Sequence, residues 1–373
     1  MKRTGIHAVP ANERILSVDV LRGFDMFWLV GGTGLALAIV RLCREPCRLV
    51  LLPQFDHAKW IGFTFYDLIF PLFVFIVGMS LVFSLGTLLR DKGRWAAYKR
   101  MIRRATLLYL LGLFYYGGLS YPWSEIRWLG VLQRLALCYF FAGLLFCHLS
   151  TRGLVVACAA ILLGYWALLG FVPVPGHDAI PWAQGENWAT YIDAHFLPGR
   201  KHEGVWDANG ILGTAPAVGT CLLGVLAARL LQNASTPDKH KVLYLVAGGA
   251  VMAALGWLWH IEFPVIKKIW TSSYVLVAGG YSCMLLGFFY LILDVWKIRW
   301  WTAPLVWIGA NPLTIYLARN IADFNTLADR FVGGSLAASL RPDVAYLFQM
   351  LVSLALSLAL VGFLYRKRIF LRV

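Results

Sequence analysis

The sequence predicts an all-α integral membrane protein, a polytopic bundle of about ten transmembrane helices (10–11) around a central cavity. Of its 373 residues, 60% are hydrophobic and 14% are charged, whereas a soluble domain carries about 25% charged residues. Apolar runs of about 20 residues recur from end to end, which is the length that crosses about 30 Å of hydrocarbon. Backbone polar groups find no water there, so the spans are expected to be helices.

Ten apolar segments are expected to form these spans. In chain order they cover residues 18–40, 64–89, 104–120, 130–149, 153–172, 210–231, 242–260, 271–294, 303–321 and 344–365. An even number of spans puts both termini on the same side. We therefore predict one transmembrane domain over 1–373, with a tail at 1–17 and one long loop at 173–209. The polar tail and the length of the first span argue against a cleavable signal.

The distribution of basic residues predicts the orientation. The formal net charge is +15, and an excess of Lys and Arg is typical of cytoplasmic loops. With the termini inside, the inner segments hold 20 basic residues and the outer segments hold 12. We therefore expect cytoplasmic termini, an inner-membrane location and an extracytoplasmic loop at 173–209. No motif for binding nucleic acid accompanies the charge, so no nucleic-acid partner is expected.

A histidine and a carboxylate stand at the start of the second span. Histidine side chains ordinarily exchange protons near neutral pH, so His57 is a candidate general base or transient acyl acceptor; the alternative is an interfacial histidine with a structural hydrogen bond. Asp67 lies inside the first turns of the span, where a charge is costly and often functional. It is predicted to orient the imidazole, and Asp56 is a second acid that could do so; the alternative for Asp67 is a buried structural bond.

Four arginines are candidate contacts for phosphate groups. Arg22 lies in the first span, spaced to meet Asp19 and Asp25 in a self-neutralising group, and Arg134 opens the fourth span. Arg103 and Arg104 end a basic run that is also explained as a topology signal.

Polar side chains of the outer loop are candidates for binding a sugar, because amides and carboxylates accompany tryptophans there. The candidates are Asn187, Asp193, Asp207 and Asn209; an interfacial aromatic belt is the alternative explanation of the tryptophans. Asn311 precedes a proline that breaks the ninth span, where it either caps a helix or lines a cavity. The sequence has no phosphate-binding glycine loop, no HExxH, no GxSxG and no paired CxxC, so no metal is expected.

Several blocks resemble one known family. They are RILSVDVLRG at 14–23, DHAKWIG at 56–62, DLIFPLFVFIVG at 67–78, GVLQRL at 130–135, WDANGILGT at 206–214 and NPLTIY at 311–316. Together they look like the motifs of the heparan-α-glucosaminide N-acetyltransferase family, in the order of that family and over nearly the whole chain. The chain resembles its short bacterial-type members.

The resemblance implies a transmembrane acyltransferase. Acetyl would pass from cytoplasmic acetyl-CoA to the amine of a glucosamine-type sugar on the other side, and His57 matches the family's active-site histidine. We then expect Arg22, Arg103, Arg104 and Arg134 to meet the donor and Asp67 to hold the imidazole. The acceptor is expected to contact residues of the outer side of the protein, which are Asp56, Asn187, Asp193, Asp207, Asn209 and Asn311. The expected partners are acetyl-CoA, an amino sugar, the lipid bilayer and, as an option, a second copy of the chain.

A transporter of an amino sugar or a related solute is the second hypothesis. It would use the same cavity, the same charges within the membrane and the broken ninth span. The sequence shows no clear inverted repeat, which counts against it.

Overall fold

The computed structural model describes residues 15–176 and 181–371. The predicted tail at 1–17 therefore lies largely outside the described residues, as do residues 177–180 of the long loop. Within the described ranges the chain is helical, and its extended pairings are two isolated bridges, Arg127 with Gly199 and Lys201 with Gly204.

Fifteen α-helices and four short turns of other helix types make up the described chain. The α-helices are α1 (Leu16–Phe27), α2 (Thr33–Leu42), α3 (Glu45–Leu51), α4 (Phe65–Tyr115), α5 (Val131–His148), α6 (Thr151–Phe171), α7 (Trp188–Phe196), α8 (Thr214–Gln232), α9 (Asp238–Trp259), α10 (Ser272–Tyr290), α11 (Ala303–Ala310), α12 (Pro312–Ile321), α13 (Phe324–Val332), α14 (Gly334–Ser339) and α15 (Pro342–Arg366). The short turns are π-helical at Trp28–Gly32 and Leu291–Val295 and 3-10 helical at Leu52–Phe55 and Gly118–Ser120.

The predicted fold class is confirmed. Among the described residues, eight helices are long and apolar enough to cross a membrane: Leu16–Leu42, Phe65–Tyr115, Val131–His148, Thr151–Phe171, Thr214–Gln232, Asp238–Trp259, Ser272–Val295 and Pro342–Arg366. The first joins α1 and α2 through a π-helical turn. The predicted ninth span, 303–321, is present as two short helices, α11 and α12, that meet at Asn311.

Helix α4 folds back on itself. Gly93 interrupts its 51 residues with φ 76°, a left-handed conformation that glycine adopts without strain. Leu81, before this point, and Met101, after it, both pack against Gly143 of α5. A straight helix would separate these two residues by about 30 Å. The two arms of α4 therefore correspond to the second and third predicted spans.

Glycines allow α4 and α8 to touch through their backbones. A Cβ on Gly78 of α4 would come within 1.9 Å of the Cys221 carbonyl oxygen, and one on Gly224 of α8 within 1.9 Å of the Phe75 carbonyl oxygen. Such small-residue contacts are how membrane helices approach closely. The pair gives the start of α4 a fixed support.

The two ends of the bundle are marked by different contacts. At one end the Asp294 carboxylate accepts hydrogen bonds from the backbone N–H groups of Leu16 (3.3 Å) and Ser17 (3.0 Å). At the other end, which we call the His57 face, the loop before α4 meets the loop between α9 and α10. There the Gly62 N–H donates to the Val265 carbonyl at 2.9 Å.

Candidate active site

The first turn of α4 places a buried carboxylate beneath the His57 loop. Asp67 has no exposed surface. Its Oδ2 accepts from the backbone N–H of Thr64 (3.1 Å), from the Thr64 hydroxyl (3.1 Å) and from the N–H of Ala58 (3.2 Å). These donors fold the loop over the helix start, in the manner of a capping box. They also leave Oδ1 free to face the imidazole.

His57 meets that oxygen. Its Nδ1 lies 2.8 Å from Asp67 Oδ1. A carboxylate held by three donors is an acceptor, so the shared proton belongs to Nδ1, and the lone pair of the imidazole is on Nε2. The ring stacks on Tyr66 with centroids 4.7 Å apart, and its side chain is 47% exposed. The His57 N–H donates to Asp56 at 2.7 Å. The structure thus brings together the three residues that the sequence singled out here.

Lys267 completes the cluster, and sequence reasoning missed it. From the loop between α9 and α10, its Nζ lies 3.2 Å from Asp67 Oδ1. The same atom is 3.0 Å from His57 Nδ1 and 3.5 Å from Nε2. Burial lowers the pKa of Lys267 to about 8, although the neighbouring Asp67 acts in the opposite direction. In the sequence this lysine was only one of a pair of outer basic residues, and its neighbour Lys268 pairs with Glu203 at 2.8 Å.

The acidic and amide candidates of the outer loop are directed at the chain itself. The Asn187 side chain caps α7 by accepting from the Thr190 N–H at 3.0 Å. Asp193 accepts from the N–H groups of Asp207 (3.1 Å) and Ile211 (2.9 Å). Burial raises the pKa of Asp193, and these two N–H groups oppose the rise. Both side chains are buried, and Asp193 joins α7 to the segment before α8.

Asp207 forms a buried ion pair with Arg127. Its two carboxylate oxygens lie 2.8 and 2.9 Å from the guanidinium, and they also accept from the N–H groups of His202 (3.0 Å) and Asn209 (2.8 Å). The hydrogen bond and charge of Asp207 outweigh burial and raise the pKa of Arg127. Asn209, the fourth loop candidate, is itself buried and adjoins this pair. In this structure the predicted sugar-binding carboxylates therefore bond to the backbone around their own loop and, through Asp207, to Arg127 before α5.

The four candidate arginines occupy different places. Arg22 reaches Asp19 (3.3 Å), Ser80 (2.8 Å) and the Gly309 carbonyl (3.4 Å). Arg103 is exposed on the second arm of α4, and the guanidinium of Arg104 lies 4.6 Å from the centre of the Tyr139 ring.

Arg134 is separate from these. It donates to the Gly210 carbonyl at 3.2 Å, in the loop that also holds Asp207, and lies 5.0 Å from the centre of the Trp270 ring. Trp270 is three residues after Lys267. Arg134 is thus on the His57 side of the molecule, unlike Arg22.

Several buried side-chain polar atoms have no hydrogen-bond partner within the described part of the chain. Among them are the Nε and Nη1 of Arg134, both amide atoms of Gln133, both amide atoms of Asn311, and both carboxylate oxygens of Asp25. Unpaired buried polar atoms are costly and call for a partner.

As for metals, the described residues hold no group of three or more His, Cys, Asp or Glu side chains that could bind an ion.

The fold and the site define a polytopic α-helical membrane protein with a histidine–aspartate–lysine cluster at one end of its bundle. The chain matches no family model. It is 28% identical to the heparan-alpha-glucosaminide N-acetyltransferase of Homo sapiens and 26% identical to that of Mus musculus, in each case over 86% of its length. It spans about half the length of these relatives, 56%. The resemblance predicted from the motifs is confirmed, and the relatives support membership of that family.

Proposed function

We propose that this protein is a transmembrane N-acetyltransferase that moves acetyl from cytoplasmic acetyl-CoA to the amine of a glucosamine-type sugar on the extracytoplasmic side of the inner membrane. The observation that carries the proposal is the His57–Asp67 pair, joined at 2.8 Å. It leaves Nε2 of a half-exposed imidazole with a lone pair for chemistry. The names of the related proteins supply the reaction class.

The reaction forms an amide and breaks a thioester, and Nε2 can serve it in two ways. As a general base, it removes the amine proton while the nitrogen attacks the acetyl carbon, and the departing CoA thiolate takes up that proton. As a nucleophile, it takes the acetyl group and releases CoA, and the amine then attacks the acetyl-imidazole and frees His57. In both routes Asp67 keeps the Nδ1 proton in place and fixes the ring.

The donor is proposed to enter from the end of the bundle opposite His57. Its phosphates would meet Arg103 at the surface and Arg22 and Arg104 further in, since arginine suits phosphate geometry. Arg134 and Asn311 have buried polar atoms without partners in the described chain, and they are proposed to contact polar groups of the donor arm, such as its amides or thioester carbonyl.

The acceptor is proposed to bind at the His57 face. Asp56 is exposed beside the imidazole, and its carboxylate could contact an amino sugar. Asn187, Asp193, Asp207 and Asn209 would shape this side by holding the outer loop in place, because their carboxylates and the Asn187 amide are bonded to that loop. This revises their expected role from direct contact with the sugar to support of the surface that receives it.

The test is release of free CoA by the purified protein, given acetyl-CoA with and without glucosamine. His57→Ala is compared with His148→Ala, a matched control at the end of α5 whose imidazole contacts Tyr98 of α4 at 2.7 Å. We expect glucosamine-dependent release by the wild type and by His148→Ala, and none by His57→Ala.

Release that persists in His57→Ala would overturn the role of the histidine. Absence of release, with uptake of labelled glucosamine by vesicles, would favour transport. Labelled acetyl retained on the protein without an acceptor would select the nucleophilic route.

A further inference from the structure

We propose that Lys267 is a positioning residue of this site, whose ammonium offsets the Asp67 carboxylate and so keeps the His57 imidazole uncharged. The inference rests on the proposed function in one respect, which is that His57 reacts through Nε2. It concerns the effect of the Lys267 and Asp67 side chains on the His57 side chain, and this effect can be measured without enzymatic turnover.

The loop that carries Lys267 is held in place by its neighbours. Ile266, Ile269 and Trp270 on either side of it are buried. The Ile266 N–H donates to the Thr271 hydroxyl at 3.0 Å, and the Thr271 N–H donates to the Ile266 carbonyl at 3.1 Å. A lysine on a flexible loop would swing into water, but this one is fixed against the site at its base.

The distances make Lys267 part of the imidazole environment. Its Nζ is 3.2 Å from Asp67 Oδ1, 3.0 Å from His57 Nδ1 and 3.5 Å from Nε2. Asp67 alone, buried at 2.8 Å from the ring, would stabilise a protonated imidazolium, which cannot act as a base or nucleophile. A cation in contact with both partners cancels that effect. The carboxylate then orients the ring without charging it.

The other charged and titratable groups around the ring do not replace this contact. Asp56 receives the His57 backbone N–H and adds negative charge. Tyr66 stacks on the ring, and the charge of Arg319 on α12 acts on Tyr66. Beyond Lys267 in the chain, Lys268 is paired with Glu203. Among the described residues, Lys267 is the cation within 3.5 Å of both ring nitrogens.

Lys267 remains largely charged near neutral pH. Burial lowers its pKa to about 8, which is above the pH at which an ordinary imidazole titrates. The order in which the two groups lose their protons matters, because the ammonium has to be present while the imidazole is neutral.

The experiment measures how fast diethylpyrocarbonate modifies His57 as a function of pH. The reagent attacks the uncharged imidazole, and the His57 peptide is followed by mass spectrometry in the full-length protein. Lys267→Met removes the charge, Lys267→Arg keeps it, and Lys268→Met is the matched control one residue away. Lys267→Gln is a second neutral variant, and each variant is first checked for monodispersity and unchanged melting temperature.

We expect the midpoint of the modification rate to rise by about one pH unit or more in Lys267→Met and Lys267→Gln, a tenfold loss of uncharged ring at low pH. Lys267→Arg and Lys268→Met are expected to keep the wild-type midpoint. An unchanged or lowered midpoint in a folded neutral variant would overturn the proposal. The proposed role of His57 fails separately, through CoA release that survives in His57→Ala, and that result would leave the titration shift standing.

Discussion

The backbone hydrogen bond of 2.9 Å from Gly62 to Val265 ties the loop that carries His57 to the loop that carries Lys267. Gly62 is five positions after His57, and Lys267 is two positions after Val265. The bond therefore sets the distance between an imidazole and an ammonium that belong to segments 210 residues apart. The geometry of the cluster therefore depends on this backbone hydrogen bond as well as on its own side chains.

Gly62→Ala should lower kcat/KM while leaving the bundle folded. Gly62 has φ +129°, in the region that favours glycine, and a Cβ there would meet Ala58 at an ordinary 3.7 Å. The effect is therefore backbone strain of about 1–2 kcal/mol and not a clash. Steady-state kinetics and thermal unfolding of the purified variant test this, with Gly176→Ala as a control at φ +79° with open space around it. An equal loss of kcat/KM in both variants would contradict a role for the Gly62–Val265 hydrogen bond.

Asp67→Asn should lower kcat by about 10²–10⁴-fold with a smaller change in KM. An amide keeps the shape of the side chain but presents an N–H or a weaker acceptor to Nδ1, so the imidazole loses its fixed tautomer. The measurement is the rate of CoA release with saturating acetyl-CoA and glucosamine. Asp91→Asn, at an exposed position on the same helix α4, is the control and should retain kcat. Activity of Asp67→Asn within threefold of the wild type would remove the carboxylate from the mechanism.

The effect of Lys267 on activity should appear on the acid side of the pH profile. The pKa of Lys267 is lowered to about 8, so its ammonium is present below that pH and is lost as the pH rises through it. An ordinary imidazole is already uncharged above that pH, so loss of the ammonium there should not lower kcat/KM. In Lys267→Met the acid limb of kcat/KM should move up by about one pH unit, while Lys267→Arg, whose guanidinium stays charged throughout, should keep the wild-type limb. Profiles from pH 5 to 10 measure this, and an unchanged acid limb in Lys267→Met would separate Lys267 from the imidazole.

The Arg127–Asp207 pair should behave as a structural element of the outer loop. Asp207→Asn alone leaves the Arg127 charge unpaired in a buried site, and Arg127→Met alone leaves the Asp207 charge unpaired. Either change should lower the free energy of unfolding by about 3–5 kcal/mol. The double variant should recover part of that loss, because no buried charge is left alone. Thermal unfolding and limited proteolysis of the loop around 173–209 measure it.

The same variants distinguish support of the loop from sugar binding. A stable Asp207→Asn protein that shows only a raised KM for glucosamine would restore Asp207 to the acceptor site, as the sequence had suggested. Equal losses of loop stability and activity would assign Asp207 a role in supporting the loop.

Composition predicted the spans well, because the length of an apolar run is set by the bilayer itself. The break at Asn311 was also visible, since proline interrupts a helix in any context. The fold of α4 was harder to predict from the sequence. The run from Arg90 to Arg104 reads as a loop by its charge, yet it is helical on both sides of Gly93. Exposed charged residues at the end of a bundle continue a helix as readily as they form a connection.

The site was predictable where it was local. His57 and Asp67 are ten residues apart, and a loop of that length returns to its own helix start. Lys267 was not, because nothing in its own segment indicates which residues 210 positions away it will meet. As contacts of a sugar, the loop acids stay a prediction for a related reason. Asp193 and Asp207 are polar residues among tryptophans, which also describes a sugar site. Their partners are backbone N–H groups whose proximity is set by the folded loop.

The backbone contact between α4 and α8 limits how these two helices can move against each other. Gly78 and Gly224 interlock through carbonyl groups with no side chain between them, so neither helix can slide along the other without separating. Asp67 lies at the end of one of these helices and stays still with them. In the proposed reaction one site must meet a donor and an acceptor that arrive from opposite sides. Access for either has to be opened by the segments around this immobile pair, with the reacting imidazole as the fixed point.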